Sequence, residues 1–224
     1  MAHIELIALN KAYTVDDTEI SAVNNVSLSI ERGEFLSIVG HSGSGKTTLI
    51  SMIGGILRPS SGKILLEDND ICLLDDDQLS EYRNGKIGFM FQFASLLPIL
   101  TNKENVLLPG LFSSGDNLVS EHKAEEYLEL VGLKDKMDVY PAQLSGGQQR
   151  RVAIARALVN DPTIILADEP TGDLDEDTEA EMMDIFKAIN RDKGVTMILI
   201  THNLELAKIA TKKLRMTQGK LIEL

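Results

Sequence analysis

The chain has 224 residues, 43% hydrophobic and 25% charged, with a single cysteine, Cys72, and a formal net charge of −12 from 34 acidic against 22 basic side chains. This composition fits a globular body of one or two domains and excludes a disordered chain, a repeat array, a disulfide framework and a multi-cysteine metal site. The acidic balance repels nucleic-acid phosphates, residues 1–5 show no leader pattern, and no apolar run approaches the roughly 18–20 residues of a membrane helix, so a soluble intracellular protein without a nucleic-acid partner is expected.

Taken in chain order, residues 4–9 and 26–30 read as strands, the second alternating through Val26, Leu28 and Ile30. A turn then leads into Phe35–Val39, whose nearly continuous apolar run predicts a buried central strand. After Gly45 the residues Leu49, Ile50, Ile53 and Leu57 recur at helical spacing, with Pro59 as the expected stop. Residues 87–91 read as another strand. From 96 to 142 the strand signal fades, with Pro98, Pro109, a Gly-Ser loop at 113–115, and a helix over 120–131 carrying Ala124, Tyr127, Leu128 and Val131 on one face.

The alternation then resumes. A helix carries Val152, Ala155, Leu158 and Val159, a strand spans 163–167, and a helix with Met182, Met183, Phe186 and Ile189 ends at Gly194. A strand follows over 195–200, and 221–224 reads as a peripheral antiparallel strand like the earliest ones. Buried strands alternating with helices predict an α/β domain, and the phosphate loop described below makes its core that of a P-loop NTPase. The expectation is a mainly parallel sheet, a peripheral antiparallel β-subdomain and an inserted α-helical subdomain. One domain would span 1–224, with 1–95 and 143–224 as its core and 96–142 as the insertion. The acidic clusters at 67–77 and 173–184 read as solvated surface, the second partly favoured by a helix start. His3, His41, His122 and Cys72 do not have metal-site spacing.

Gly40-His41-Ser42-Gly43-Ser44-Gly45-Lys46-Thr47 fits G-x-x-x-x-G-K-[ST], with a predicted strand before it and a predicted helix after it. Glycines let the backbone approach phosphate closely, and amide N–H groups at a helix start supply positive potential. Lys46 adds a charge for the β- and γ-phosphates, and the Thr47 hydroxyl suits Mg²⁺, so a nucleoside triphosphate site is predicted, with Thr48 completing the loop. Its second half is Asp168-Glu169, two carboxylates closing an apolar strand. Asp168 suits the Mg²⁺ side, and Glu169 suits a water-orienting or water-deprotonating role.

Leu144-Ser145-Gly146-Gly147-Gln148-Gln149-Arg150 is a second small-residue helix start with anion-binding character. One site has no use for two such devices far apart, whereas a dimer does, if each chain closes over the other's nucleotide. At this point the chain resembles the ATP-binding subunits of ABC transporters, over nearly its whole length and with the motifs in that family's order. The resemblance implies that Tyr13 stacks on adenine and that Gln92 touches Mg²⁺ and the attacking water. It implies that Ser145, Gly146, Gly147 and Gln148 clamp the γ-phosphate of the partner chain's ATP, and that Asp175 reaches across the dimer. His202 would be the switch residue beside the γ-phosphate. His41 stands where the family often has proline, Thr47 keeps the hydroxyl of the commoner serine, and Asp173 stands where many relatives have Asn or Ala.

Phe91-Gln92, Leu96-Leu97-Pro98, Leu100-Thr101 and Glu104-Asn105-Val106 with Pro109 resemble the macrolide-export and lipoprotein-release branch. The branch implies a homodimer on ATP binding, a separate integral membrane permease subunit, and a cytoplasmic location at the inner face of the membrane through that partner alone. It also implies mechanical transmission to release or export lipoproteins, peptides, drugs or haem, with substrate contacts on the membrane subunit. Docking is expected near 92–100, with Phe93, Leu96 and Leu97 as anchors. A regulatory ATPase of the same branch, controlling cell-wall hydrolases without transport, stays open as the alternative. DNA-repair relatives carry a long coiled-coil or zinc insertion, absent here, and translation-type relatives carry two cassettes.

Overall fold

The computed structural model describes residues 2–112, 119–172 and 174–224. The expected loop at 113–115 and Asp173 therefore lie outside the described residues. Residues 2–31 form a hairpin longer than the two expected strands: β1 (Ala2–Val15) pairs antiparallel with β2 (Thr18–Glu31). Asp16 and Asp17, at φ 47° and 60°, form its two-residue turn, a left-handed backbone that short polar side chains tolerate.

β3 (Phe35–Val39) is buried at every position. α1 (Lys46–Ile53) ends at Gly54 rather than running through Leu57 to Pro59. Gly55 takes φ +66°, and the Ile56 and Leu57 amides both turn back to donate to the Ser51 carbonyl, at 2.9 and 3.1 Å. β4 (Ser61–Leu66) and β5 (Asn69–Asp70) add to the hairpin in the order β2-β1-β4-β5. The acidic stretch after them does more than face solvent. Asp75 caps α2 (Asp76–Lys86), accepting from Gln78 N (2.9 Å), while Gln78 Oε1 accepts from Asp75 N (3.0 Å).

β6 (Ile87–Met90) is followed by α3 (Asn102–Leu107), α4 (Glu121–Leu130) and α5 (Gly146–Leu158). Then come β7 (Ile164–Asp168), α6 (Glu176–Lys193), β8 (Thr196–Thr201), α7 (Leu204–Ala207), β9 (Lys212–Thr217) and β10 (Lys220–Glu223). These strands form a sheet of order β10-β9-β3-β8-β7-β6, parallel except for the β9–β10 hairpin.

Consecutive residues of the central strands feed two cores. Ile164 and Leu166 of β7, with Ile198 and Ile200 of β8, face α1 and the antiparallel sheet. Ile165, Ala167, Met197 and Leu199 face α5 and α6. That two-sided burial explains why these strands read as continuous apolar runs. Among the described residues α3 and α4 have no separate core: Val106, Ala124, Tyr127 and Leu128 pack into the same cluster as Val152, Ile154 and Phe186.

His3 stitches the two sheets together. It is buried, and its Nδ1 lies 2.6 Å from Thr196 Oγ1, which accepts the Gly33 N–H at 2.9 Å. Its Nε2 has no hydrogen-bond partner, and the nearest carboxylate oxygen, on Glu67, is 3.8 Å away. Burial, and then the charges of Arg32 and Lys86, hold the imidazole below its ordinary pKa. The unfolded chain takes up this proton near pH 6.5 while the folded chain resists it, so the stability contribution is present above about pH 6.5 and is lost as pH falls below it. Thermal melts of the parent and His3→Gln should therefore converge as pH drops from 7.5 to 5.5. Curves that stay parallel would contradict this role.

Candidate functional site

β3, β7 and β8 are neighbours, and their C-terminal ends open on one cleft of about 500 Å³. This is the edge where open α/β sheets place their ligands. Its walls are Ser42 to Thr48, with Ala22, Gln92, Glu169, Gly172 and His202.

The loop after β3 is squeezed between backbones. A Cβ on Gly40 would lie 2.5 Å from the Met216 carbonyl oxygen, and one on Gly45 would lie 2.0 Å from that of Ala22. Gly45 is also the N-cap of α1 at φ +103°, a conformation only glycine adopts at low cost. With no side-chain cap, the start of α1 is left as a positive backbone surface facing the cleft. Inside the loop, Lys46 is 7% exposed and donates to the carbonyls of Gly40 (2.7 Å) and His41 (3.0 Å).

Asp168 closes β7, also 7% exposed. Burial raises its pKa, as does the charge of Glu169, against the opposing hydrogen bond from the Thr47 side chain and the charge of Lys46. Its Oδ1 is buried without a hydrogen-bond partner, as is Ser44 Oγ. Glu169 sits at φ +49°, unusual for a residue preceding proline, and its N–H donates to Ile200 O at 2.9 Å. The carboxylate is thereby aimed at His202: Oε2 accepts from His202 N (3.2 Å) and Nδ1 (2.7 Å), and Oε1 lies 4.0 Å from Lys46 Nζ. Lys46, Glu169 and His202 thus share one opening, while Gly40, His41 and the buried Asp168, next to Glu169, do not themselves line it.

The other expected residues lie elsewhere. Tyr13 is on the hairpin, opposite Ile20, 40% exposed and with Lys11 Nζ 5.5 Å from its ring centre; it does not line the cleft. Ser145 is the N-cap of α5, with Gln148 N donating to its Oγ (3.3 Å) and Gln148 Oε1 accepting from its N–H (3.0 Å). Asp175 is the N-cap of α6. None of Ser145, Gly146, Gly147, Gln148 or Asp175 lines the cleft. Ala22 and Gly172 do line it, and neither carries a chemical signal that a sequence pattern detects.

Beyond Gln92 the surface turns apolar. Phe91, Phe93, Leu97, Ile99, Leu111 and Phe112 are exposed, and Phe91 and Phe112 line a groove together with Phe89, Pro109 and Arg156. Leu96, expected as an anchor here, turns inward and packs on the core. Buried Asn105 shapes this loop, accepting from Leu97 N (2.7 Å) and donating to the carbonyls of Leu97, Leu100 and Thr101.

A family described as "ABC transporter" matches residues 23–172. The lipoprotein-releasing system ATP-binding protein LolD of Myxococcus xanthus is 40% identical over 223 residues, covering 100% of both chains. The macrolide export ATP-binding/permease protein MacB of Rhodopirellula baltica is 41% identical over 222 residues, 98% of this chain but only 32% of that protein. Among solved structures, a dimeric post-hydrolysis state of an ATP-binding cassette, bound to ADP and Pi, is similar with a TM-score of 0.88 and 40% identity, covering 99% of this chain and 98% of that one.

Proposed function

The chain belongs to the ABC transporter family as an ATP-binding cassette with ATPase activity, and from that premise we propose that two copies close around two molecules of Mg·ATP to power a separate membrane-embedded subunit. The observation that carries this reading is a division of the site. Lys46, Glu169 and His202 share one cleft, while the helix starts at Ser145–Gln148 and Asp175 line no part of it. Two copies facing one another would bring each set to the other's cleft, and the similar solved cassette is itself a dimer.

Each nucleotide would lie on Gly40, His41, Ser42, Gly43, Ser44, Gly45, Lys46, Thr47 and Thr48 of one chain, with Tyr13 against the adenine. Lys46, held by two carbonyls, exchanges them for phosphate oxygens when the nucleotide enters. The buried, unpartnered Asp168 Oδ1 and the neighbouring Thr47 hydroxyl are a hard-oxygen donor set that fits Mg²⁺, with Gln92 as a further oxygen ligand. Bound there, the ion offsets charge on the phosphate oxygens. Glu169 orients the attacking water and accepts its proton, and His202 keeps the Glu169 carboxylate in place. Ser145, Gly146, Gly147, Gln148 and Asp175 of the second chain close over the γ-phosphate, and losing that phosphate releases them.

No described helix is long and apolar enough to cross a membrane, so membrane attachment would run through the partner. The exposed apolar residues after Gln92 support docking there, on the cytoplasmic face, of a lipoprotein-release or macrolide-export type of permease.

Purified Glu169→Gln should bind ATP without turnover and shift from monomer to dimer in light scattering when Mg·ATP is added, and Lys46→Ala should lose both nucleotide binding and the shift. An ATP-loaded chain that stays monomeric contradicts the shared site. Phe93→Ala with Leu97→Ala should keep nucleotide binding and lose capture of the membrane subunit in a pull-down; undiminished capture contradicts the docking position.

A further inference from the structure

The two helix starts that share no cleft with Lys46 meet through one side chain. Thr178, in the first turn of α6, donates its hydroxyl to Asp175 Oδ2 (2.8 Å) and its backbone N–H to Asp175 Oδ1 (2.9 Å). Its methyl group faces α5: a Cβ built on Gly147 would lie 2.4 Å from Thr178 Cγ2. A β-branched side chain is stiff about χ1, so a single rotamer makes both contacts at once. Gly147 is glycine here for a packing reason of its own, separate from any phosphate.

We propose that Thr178 is a positioning residue that locks Asp175 to the Gly146–Gly147 start of α5, so that the two groups offered to the other chain's nucleotide move as one rigid edge. This rests on the shared-site reading above. The edge is braced toward its own chain's chemistry as well. Arg150 of α5 donates to the Pro170 carbonyl (3.1 Å), next to Glu169, and Asn203, next to His202, donates to Glu179 Oε2 of α6 (3.3 Å). Thr178 touches no part of the cleft, so its influence passes through Asp175 and Gly147.

In the Glu169→Gln background, Thr178→Val keeps the methyl facing Gly147 and removes the hydroxyl bond to Asp175. It should raise the dissociation constant of the ATP-dependent dimer about tenfold, the scale of one hydrogen bond to a charged group, with ATP affinity of the monomer unchanged. Thr178→Ser keeps the hydroxyl bond to Asp175 and loses the methyl facing Gly147, so it should weaken the dimer less than Thr178→Val while still quickening exchange at 146–149. Amide exchange in the monomer should quicken in Thr178→Val at both 146–149 and 176–179. A dimer constant unmoved by Thr178→Val overturns the positioning role, and faster exchange confined to α6 overturns the link between the helices. If the Glu169→Gln parent forms no dimer, the shared-site reading itself fails, and the exchange pattern alone then decides whether Thr178 joins the two helix starts.

Discussion

A buried ammonium and a buried carboxylate, Lys46 at the start of α1 and Asp168 at the end of β7, are held out of water by the fold around them. Isolated buried charge costs several kcal/mol, so each needs partners. Lys46 takes two carbonyls from a loop that closes tightly only because Gly40 and Gly45 present no Cβ to the Met216 and Ala22 backbones. Asp168 takes the Thr47 side chain and keeps one oxygen unpartnered. An anion would give Lys46 a charged partner and a cation would give the free Asp168 oxygen one, which is what the proposed magnesium nucleotide would supply.

Much of this was legible before the structure because the central strands are buried on both faces. β3, β7 and β8 carry continuous apolar runs, and the chemistry sits at their ends. Some short elements buried on a single face leave little trace in the sequence. β4 buries only Ile64 and Leu66, and β9 interleaves Lys212, Lys213 and Arg215 with Leu214 and Met216. α2 buries only Leu79 and Tyr82, although Asp75 and Gln78 spell out its capping box. Leu57 fitted the helical period of α1, but the Gly54-Gly55 pair ended the helix first. Ala22 and Gly172 have no side-chain function, so only the folded chain brings them to the cleft.

α5 ties the distant parts together. Its 13 residues span about 20 Å, with Ser145 capping one end and Arg156 near the other. Arg156 donates to the carbonyls of Ala94 (2.7 Å) and Ser95 (2.8 Å), in the loop that leaves Gln92 and displays Phe93. The loop that displays Phe93 and the Ser145 cap are therefore tied to the two ends of one helix. α3 and α4 pack onto the same helix through Val106, Ala124 and Leu128.

The central claim is that a complete nucleotide site needs two chains, and subunit mixing tests it most directly. Lys46→Ala spoils the cradle and Ser145→Arg spoils the opposing helix start, so each variant alone should be inactive as an ATPase. A mixed dimer concentrates both defects in one site and leaves the other intact, so the account predicts ATPase activity in the mixture that neither variant has alone. Activity no greater than the sum of the two would contradict it, and would place each Ser145–Gln148 segment on its own chain's nucleotide.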